Sequence, residues 1–210
     1  MTAAEAKATK GAATRERILE VAERLVLKQG YTGTSIDDIL RHAHITKGGF
    51  FYHFSGKNDL AIGLMQRYQR NDHAFFMDLA TRARELVEDP LHQLLLFLKL
   101  MSDEMANLPE VHPGCLVATF VYESEQVDDR VREINVGVLQ AWRNLFSEQI
   151  ANVDTRYEKC LDVDNDALAD MLTSVIEGGI IISKALSERR ILADQILQYR
   201  NYIRLLYGIA

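Results

Sequence analysis

Residues 34–57 constrain this 210-residue chain more than any other stretch, because they read as two short helices separated by a tight break. Ser35 precedes Ile36, Ile39 and Leu40, which share one face of a helix, and Asp38 follows Ser35 by three residues. That is capping-box spacing, with Asp in the place usually held by Glu or Gln. The helix has little room to extend, since His42-Ala43-His44 leads to a second cap at Thr46. Lys47 to Phe54 then forms a second short helix with Gly48 and Gly49 in its first turn. Each glycine costs that helix about 1 kcal/mol against alanine. Such a cost points to close approach by a neighbouring helix or a phosphodiester backbone. Phe50 and Phe54, four apart, point inward and leave Thr46, Lys47, Tyr52 and His53 outside. Hydroxyl, cationic and aromatic groups on one small face are the layout of a helix-turn-helix that presses on DNA.

At these residues the chain resembles the tetracycline-repressor (TetR) family of bacterial transcription regulators. The resemblance begins at Thr14-Arg15-Glu16-Arg17-Ile18-Leu19 and continues through Ala22 and Gly30-Tyr31-Thr32-Gly33-Thr34-Ser35-Ile36. It ends at Lys57-Asn58-Asp59-Leu60, and beyond this only length, helical pattern and a few local features match. Leu27 is a conservative departure where the family often has phenylalanine. The resemblance implies a DNA-binding head over residues 1–60 with a flexible N-terminal arm. A long helix would join it to a ligand-binding and dimerisation body over residues 61–210. The DNA-facing set is then Ser35, Thr46, Lys47, Gly48, Gly49, Phe51, Tyr52, His53 and Lys57. Thr46, Tyr52, His53 and Lys57 would hold phosphates, while Lys47 and the Gly48-Gly49 backbone would approach the groove. Taken singly, Tyr52 also fits a half-buried core tyrosine, His53 a surface or core histidine, and Lys57 a solvated lysine.

Composition agrees with an all-α chain. A hydrophobic content of 48% suffices for a sizeable core, and only three prolines interrupt it. No segment keeps strand alternation for long, whereas 14–29, 57–87, 91–107, 125–151, 165–187 and 193–207 each support a helix. Residues 1–11 lack the apolar core of a signal peptide, and no uncharged apolar run is long enough for a membrane span. A cytoplasmic protein without membrane contact is the expectation. Cys115 and Cys160 suggest neither a disulfide framework nor zinc spacing. His42 and His44 fall on different sides of a helix with no cysteine or acidic cluster beside them, so no metal is expected. No nucleophile–base pair or phosphate loop stands out either, and neither an enzyme nor a cofactor is expected.

A net charge of −6 argues against DNA binding until the chain is divided. Residues 1–60 hold nine Lys/Arg and seven Asp/Glu, a net of +2; the rest hold 15 and 23, a net of −8. Lys7, Lys10, Arg15 and Arg17 form either an arm reaching phosphates or a solubilising tail. The acidic body also argues against nonspecific DNA compaction.

Beyond residue 57 a connecting helix carries the broken stripe Leu60, Leu64, Tyr68, Phe75 and Leu79. Asp89-Pro90 starts the next helix, and Pro109 ends it. Phe97, Met101, Tyr122, Trp142 and Phe146 are either core filler or the lining of an apolar effector cavity. Gly114-Cys115-Leu116 resembles a Gly-Cys-Leu segment of some family members, a number of which sense electrophiles or oxidants through the cysteine. A thiol near a helix N-terminus is favoured as thiolate, but buried cysteines are commonly inert, and both readings of Cys115 stand. Two C-terminal helices carry apolar residues on more than one face, and Gly178-Gly179 permits close approach. They suit a four-helix homodimer interface, or two faces both used internally. A homodimer would match a palindromic double-stranded DNA operator, released by a small-molecule or electrophile effector.

Overall fold

A computed structural model describes residues 3–209, with side chains from residue 11 onward. The side chains of Lys7 and Lys10 therefore lie outside the described residues. Among the described residues the regular structure is helical: α1 Ala3–Gln29, α2 Ile36–Ala43, α3 Lys47–His53, α4 Lys57–Leu86, α5 Pro90–Ala106, α6 Leu116–Tyr122, α7 Asp129–Asp154, α8 Asn165–Leu186 and α9 Arg190–Leu206. No described helix is long and apolar enough to cross a membrane.

The largest departures from the pattern are at the starts of α1 and α7. α1 begins at Ala3, well before Thr14, because the alanine-rich leader favours helix. The segment expected as an arm is thus helical from Ala3. α7 begins at Asp129, because Ser124–Gln126 form a separate 3-10 turn.

The chain divides into two compact units, one of residues 1–70 with 115–136, the other of 71–114 with 137–210. In the first unit α1 buries Ile18, Leu19, Ala22, Leu25 and Val26, one stripe at helical spacing. Gly30, at φ +81°, ends α1 in the left-handed region and returns its N–H to the Val26 carbonyl at 2.9 Å. The opening turns of α4 bury Leu60, Ala61, Leu64 and Met65. Arg67 of α4 then bridges to Glu16 and Glu23 of α1, with Glu20 at 3.8 Å. Burial raises the Glu23 pKa, and the Arg67 charge works against that rise.

In the second unit α5 is buried on most of its circumference, through Leu91, Leu94, Leu95, Phe97, Leu98 and Met101. Asp89 caps it, accepting from the Leu91 and His92 amides, with Pro90 in the first turn. α9 packs on both α5 and α8. Gly179 makes the α8–α9 approach possible: a Cβ there would stand 3.1 Å from Leu192 Cα. Gly178 has open space instead. Buried hydroxyls satisfy main-chain groups across these helices. Ser102 donates to the Ala193 carbonyl at 3.0 Å, and Ser183 accepts the Leu192 N–H at 3.0 Å.

Candidate nucleic-acid interface

The two caps stand as the spacing requires. Ser35 Oγ accepts the Asp38 N–H at 3.0 Å, and the Asp38 carboxylate accepts back from Ser35 N–H and Oγ–H. Thr46 Oγ1 accepts the Gly49 N–H at 3.1 Å and starts α3. His44 turns the chain between the helices in the left-handed region, at φ 52°. This break, between two capped helices, sets the angle of α3 against α2.

Burial sorts the residues of α3. Phe50 and Phe54 are fully buried, ring centroids 5.7 Å apart. Thr46, Lys47, Gly48 and Phe51 are exposed, and Tyr52 is 78% exposed, which removes the core reading of that tyrosine. Apart from its chain neighbours and the backbone of its own helix, no described atom comes within 4 Å of a Cβ placed at Gly48. Of the two reasons for a costly glycine, a neighbouring helix is therefore absent among the described residues. A Cβ at Gly49 would meet Thr46 Oγ1 of its own cap at 3.4 Å and Ile45 Cβ at 3.9 Å.

His53 is half-buried with its ring edge-on to Tyr52, centroids 4.9 Å apart. Burial and then Arg15 lower its pKa, so near pH 7 it offers a neutral imidazole. Arg15 itself lies over the Phe54 ring, 4.9 Å from the centroid, whereas Arg17 is exposed. Lys57 is half-buried at the start of α4. Its Nζ sits 4.3 Å from the centre of the Tyr31 ring and donates to the Thr32 carbonyl at 3.3 Å. Burial lowers the Lys57 pKa, and Glu123 opposes that shift.

The effector candidates do not form one group. Phe97, Met101 and Phe146 are buried in the second unit, with Phe97 and Phe146 centroids 6.1 Å apart. Phe76, which the sequence pattern passes over in favour of Phe75, completes this cluster at 5.3 Å from Phe146. Trp142 is half-buried beside it and donates its indole N–H to the Asp72 carboxylate. Tyr122 belongs to the first unit and is 80% exposed. Cys115, also in the first unit, is buried at the N-cap of α6, its Sγ 3.9 Å from the Tyr68 hydroxyl. His112 accepts the Gly114 N–H on Nδ1 at 3.3 Å, and burial, then Lys184, lower its pKa.

A cavity of about 300 Å³ opens between α4, α5 and α7, with Met77, Arg84, Gln93, Leu94, Leu145 and Glu148 among its lining. None of the sequence candidates lines it. Its lining mixes apolar, amide and charged side chains from three separate helices, which leaves no local motif.

Two capped helices across a break, with a polar α3 face and an all-helical body, define a helix-turn-helix DNA-binding regulator. Comparison with known proteins agrees. Residues 18–64 match the bacterial regulatory proteins of the tetR family, and residues 90–198 match the tetracyclin repressor-like C-terminal domain. Transcriptional regulator AcuR of Cereibacter sphaeroides is 30% identical over 157 residues, covering 75% of this chain and 70% of that protein. HTH-type transcriptional repressor DhaR of a Mycobacterium species is 26% identical over 187 residues, 87% of this chain and 88% of that protein. Among solved structures, a TetR-family transcriptional regulator from Agrobacterium tumefaciens superposes with a TM-score of 0.78 at 19% identity, covering 91% of this chain and 98% of that one. The chain belongs to the tetR family of bacterial regulatory proteins. It is a DNA-binding transcriptional regulator and not an enzyme.

Proposed function

We propose that this protein is a homodimeric repressor that holds a palindromic operator through α3 and leaves it when an effector binds the helical body. The α3 surface carries the DNA part of the reading. Thr46, Lys47, Gly48, Phe51 and Tyr52 face outward while Phe50 and Phe54 anchor the helix from below. Thr46, Tyr52 and His53 serve phosphates; Lys47 and the open Gly48 backbone meet the groove; Ser35 adds a contact from the start of α2. Lys57 is a phosphate partner that exchanges its Thr32 and Tyr31 contacts for DNA. Residues 1–60 form the reading head, and residues 61–210 carry effector binding and dimerisation. DhaR, named a repressor, supports the direction of control.

The 300 Å³ cavity supports a small-molecule effector of mixed polarity, and Phe97, Met101, Trp142 and Phe146 are further effector candidates in the same unit. Effector binding favours a conformer with the wrong head spacing, so repression is lost by population shift. Cys115 supports a second route, through an electrophile, because it starts α6 beside the Tyr68 hydroxyl.

Selecting duplexes from a random DNA pool with the full-length protein tests the reading. A palindromic consensus is expected, and Tyr52→Phe should raise its Kd several-fold, about 1 kcal/mol for one phosphate hydrogen bond. Enrichment of no sequence, or an unchanged Kd, overturns the head assignment. On the selected duplex, an electrophile should release wild type but not Cys115→Ser; equal release removes the thiol route.

A further inference from the structure

Glu123 stands where α6 ends, and its carboxylate reaches the loop between α1 and α2. One oxygen accepts the Tyr31 N–H at 2.8 Å and the other the Thr32 N–H at 2.6 Å. Gly30 leaves the room for this: at φ +81°, a Cβ there would lie 2.6 Å from Glu123 Oε1. Tyr31 is buried, its ring 5.3 Å from Phe120 of α6 and its hydroxyl donating to Asn58 at 3.0 Å. Lys57 covers the same ring from α4. The loop is itself a closed turn, with Thr34 N–H on the Tyr31 carbonyl and Thr34 Oγ1 on the Gly30 carbonyl. Holding residues 31 and 32 therefore holds the start of α2, and α3 follows it across a tight break.

Two main-chain hydrogen bonds to one charged acceptor are strong and directional. Burial alone would raise the Glu123 pKa; the hydrogen bonds from Thr32 and Tyr31 and the Lys57 charge outweigh it and hold the carboxyl ionised, below its ordinary range.

We propose that Glu123 is a positioning residue for DNA binding. Its carboxylate fixes the α1–α2 loop, and thereby α2 and α3, in the orientation that offers Lys47 and Tyr52 to DNA. A displacement of α6 reaches the head through these two hydrogen bonds. The proposal rests on α3 being the reading helix.

Charge and position give opposite signs here, which makes the role testable. A carboxylate near a DNA-binding head repels phosphates, so its removal as a bystander charge would tighten binding. Removal of a positioning group weakens it. The experiment measures the Kd of full-length wild type, Glu123→Gln and Glu123→Asp for the selected duplex over a salt series. Amide hydrogen exchange at Tyr31 and Thr32 is followed without DNA. Glu123→Gln is expected to raise Kd about tenfold, the effect of roughly one charge-assisted hydrogen bond. The salt slope should stay at its wild-type value because no phosphate contact is lost, whereas Lys57→Ala lowers the slope by about one. Both amides should exchange faster, and Glu123→Asp should recover part of the affinity. Binding by Glu123→Gln as tight as wild type or tighter, or unaltered exchange at both amides, overturns the proposal. If Glu123→Gln does not fold, Glu123→Asp carries the same comparison, and wild-type affinity with wild-type exchange overturns it. A wild type that selects no DNA defeats the α3 reading instead, since the exchange measurement stands apart from it.

Discussion

Asp72 shows what a single residue gains and loses from its neighbours. Its half-buried carboxylate accepts the Trp142 indole N–H, yet burial outweighs that bond and pushes its pKa from 3.8 up to about 6. A carboxyl whose pKa is higher in the folded state favours folding when protonated. Stability should therefore fall as pH rises from about 4 to about 6 and stay lower above that. Asp72→Asn keeps an acceptor for the indole without the charge. It is expected to flatten this pH dependence and to stabilise the protein at pH 7 by at most about 3 kcal/mol, read by denaturant unfolding at several pH values. An unchanged pH profile would show that Asp72 is better solvated than its position implies. None of this was legible locally, because Trp142 lies far along the chain. Tyr52 is the opposite case: the buried pair Phe50 and Phe54 already tells which way it faces.

At the scale of elements, most helices follow from periodicity and caps. Asp89-Pro90 marks a start that the structure keeps, and Asp164 caps α8 by accepting the Asp166 and Ala167 amides. Tyr68 and Phe75 of the expected α4 stripe are only half-buried, whereas Leu60, Leu64 and Leu79 are buried and Phe76 takes the buried place beside Phe75. The adjacent glycines of α8 separate local from tertiary demands. Gly178→Ala has room and gains helix propensity, so it should stabilise by about 0.5–1 kcal/mol. Gly179→Ala forces a methyl against Leu192, whose Cα is fixed in α9, and should cost about 1–3 kcal/mol. Chemical denaturation compares the pair, and equal effects would mean that α8 and α9 approach less closely. The sequence shows two small residues together, but only packing distinguishes them.

For the molecule as a whole, α8 and α9 leave apolar side chains without cover in the single chain. Ile181, Ile182 and Leu186 on α8 and Leu205 on α9 are 44–68% exposed. Apolar side chains left exposed along both helices support burial against a second copy. The double variant Ile181→Glu/Ile182→Glu is expected to sediment as a folded monomer and to lose at least about a hundredfold in affinity for the selected palindrome, as one head replaces two. A dimer that persists would move the interface elsewhere.

Chain order and spatial grouping part company at this scale too. A cut at residue 60 follows the motif, whereas the compact units place 115–136 with the head and begin the second unit at residue 71. Caps, apolar spacing and the charge split along the chain determined the all-α class, the helix-turn-helix and its outward face. These are local quantities, written within a few turns of helix. Tertiary structure alone decided that Glu123 grips the Tyr31 and Thr32 amides, that Phe76 joins Phe146, and that Asp72 meets Trp142. Those contacts join residues dozens of positions apart, and their energies depend on burial and direction that no spacing along the chain encodes.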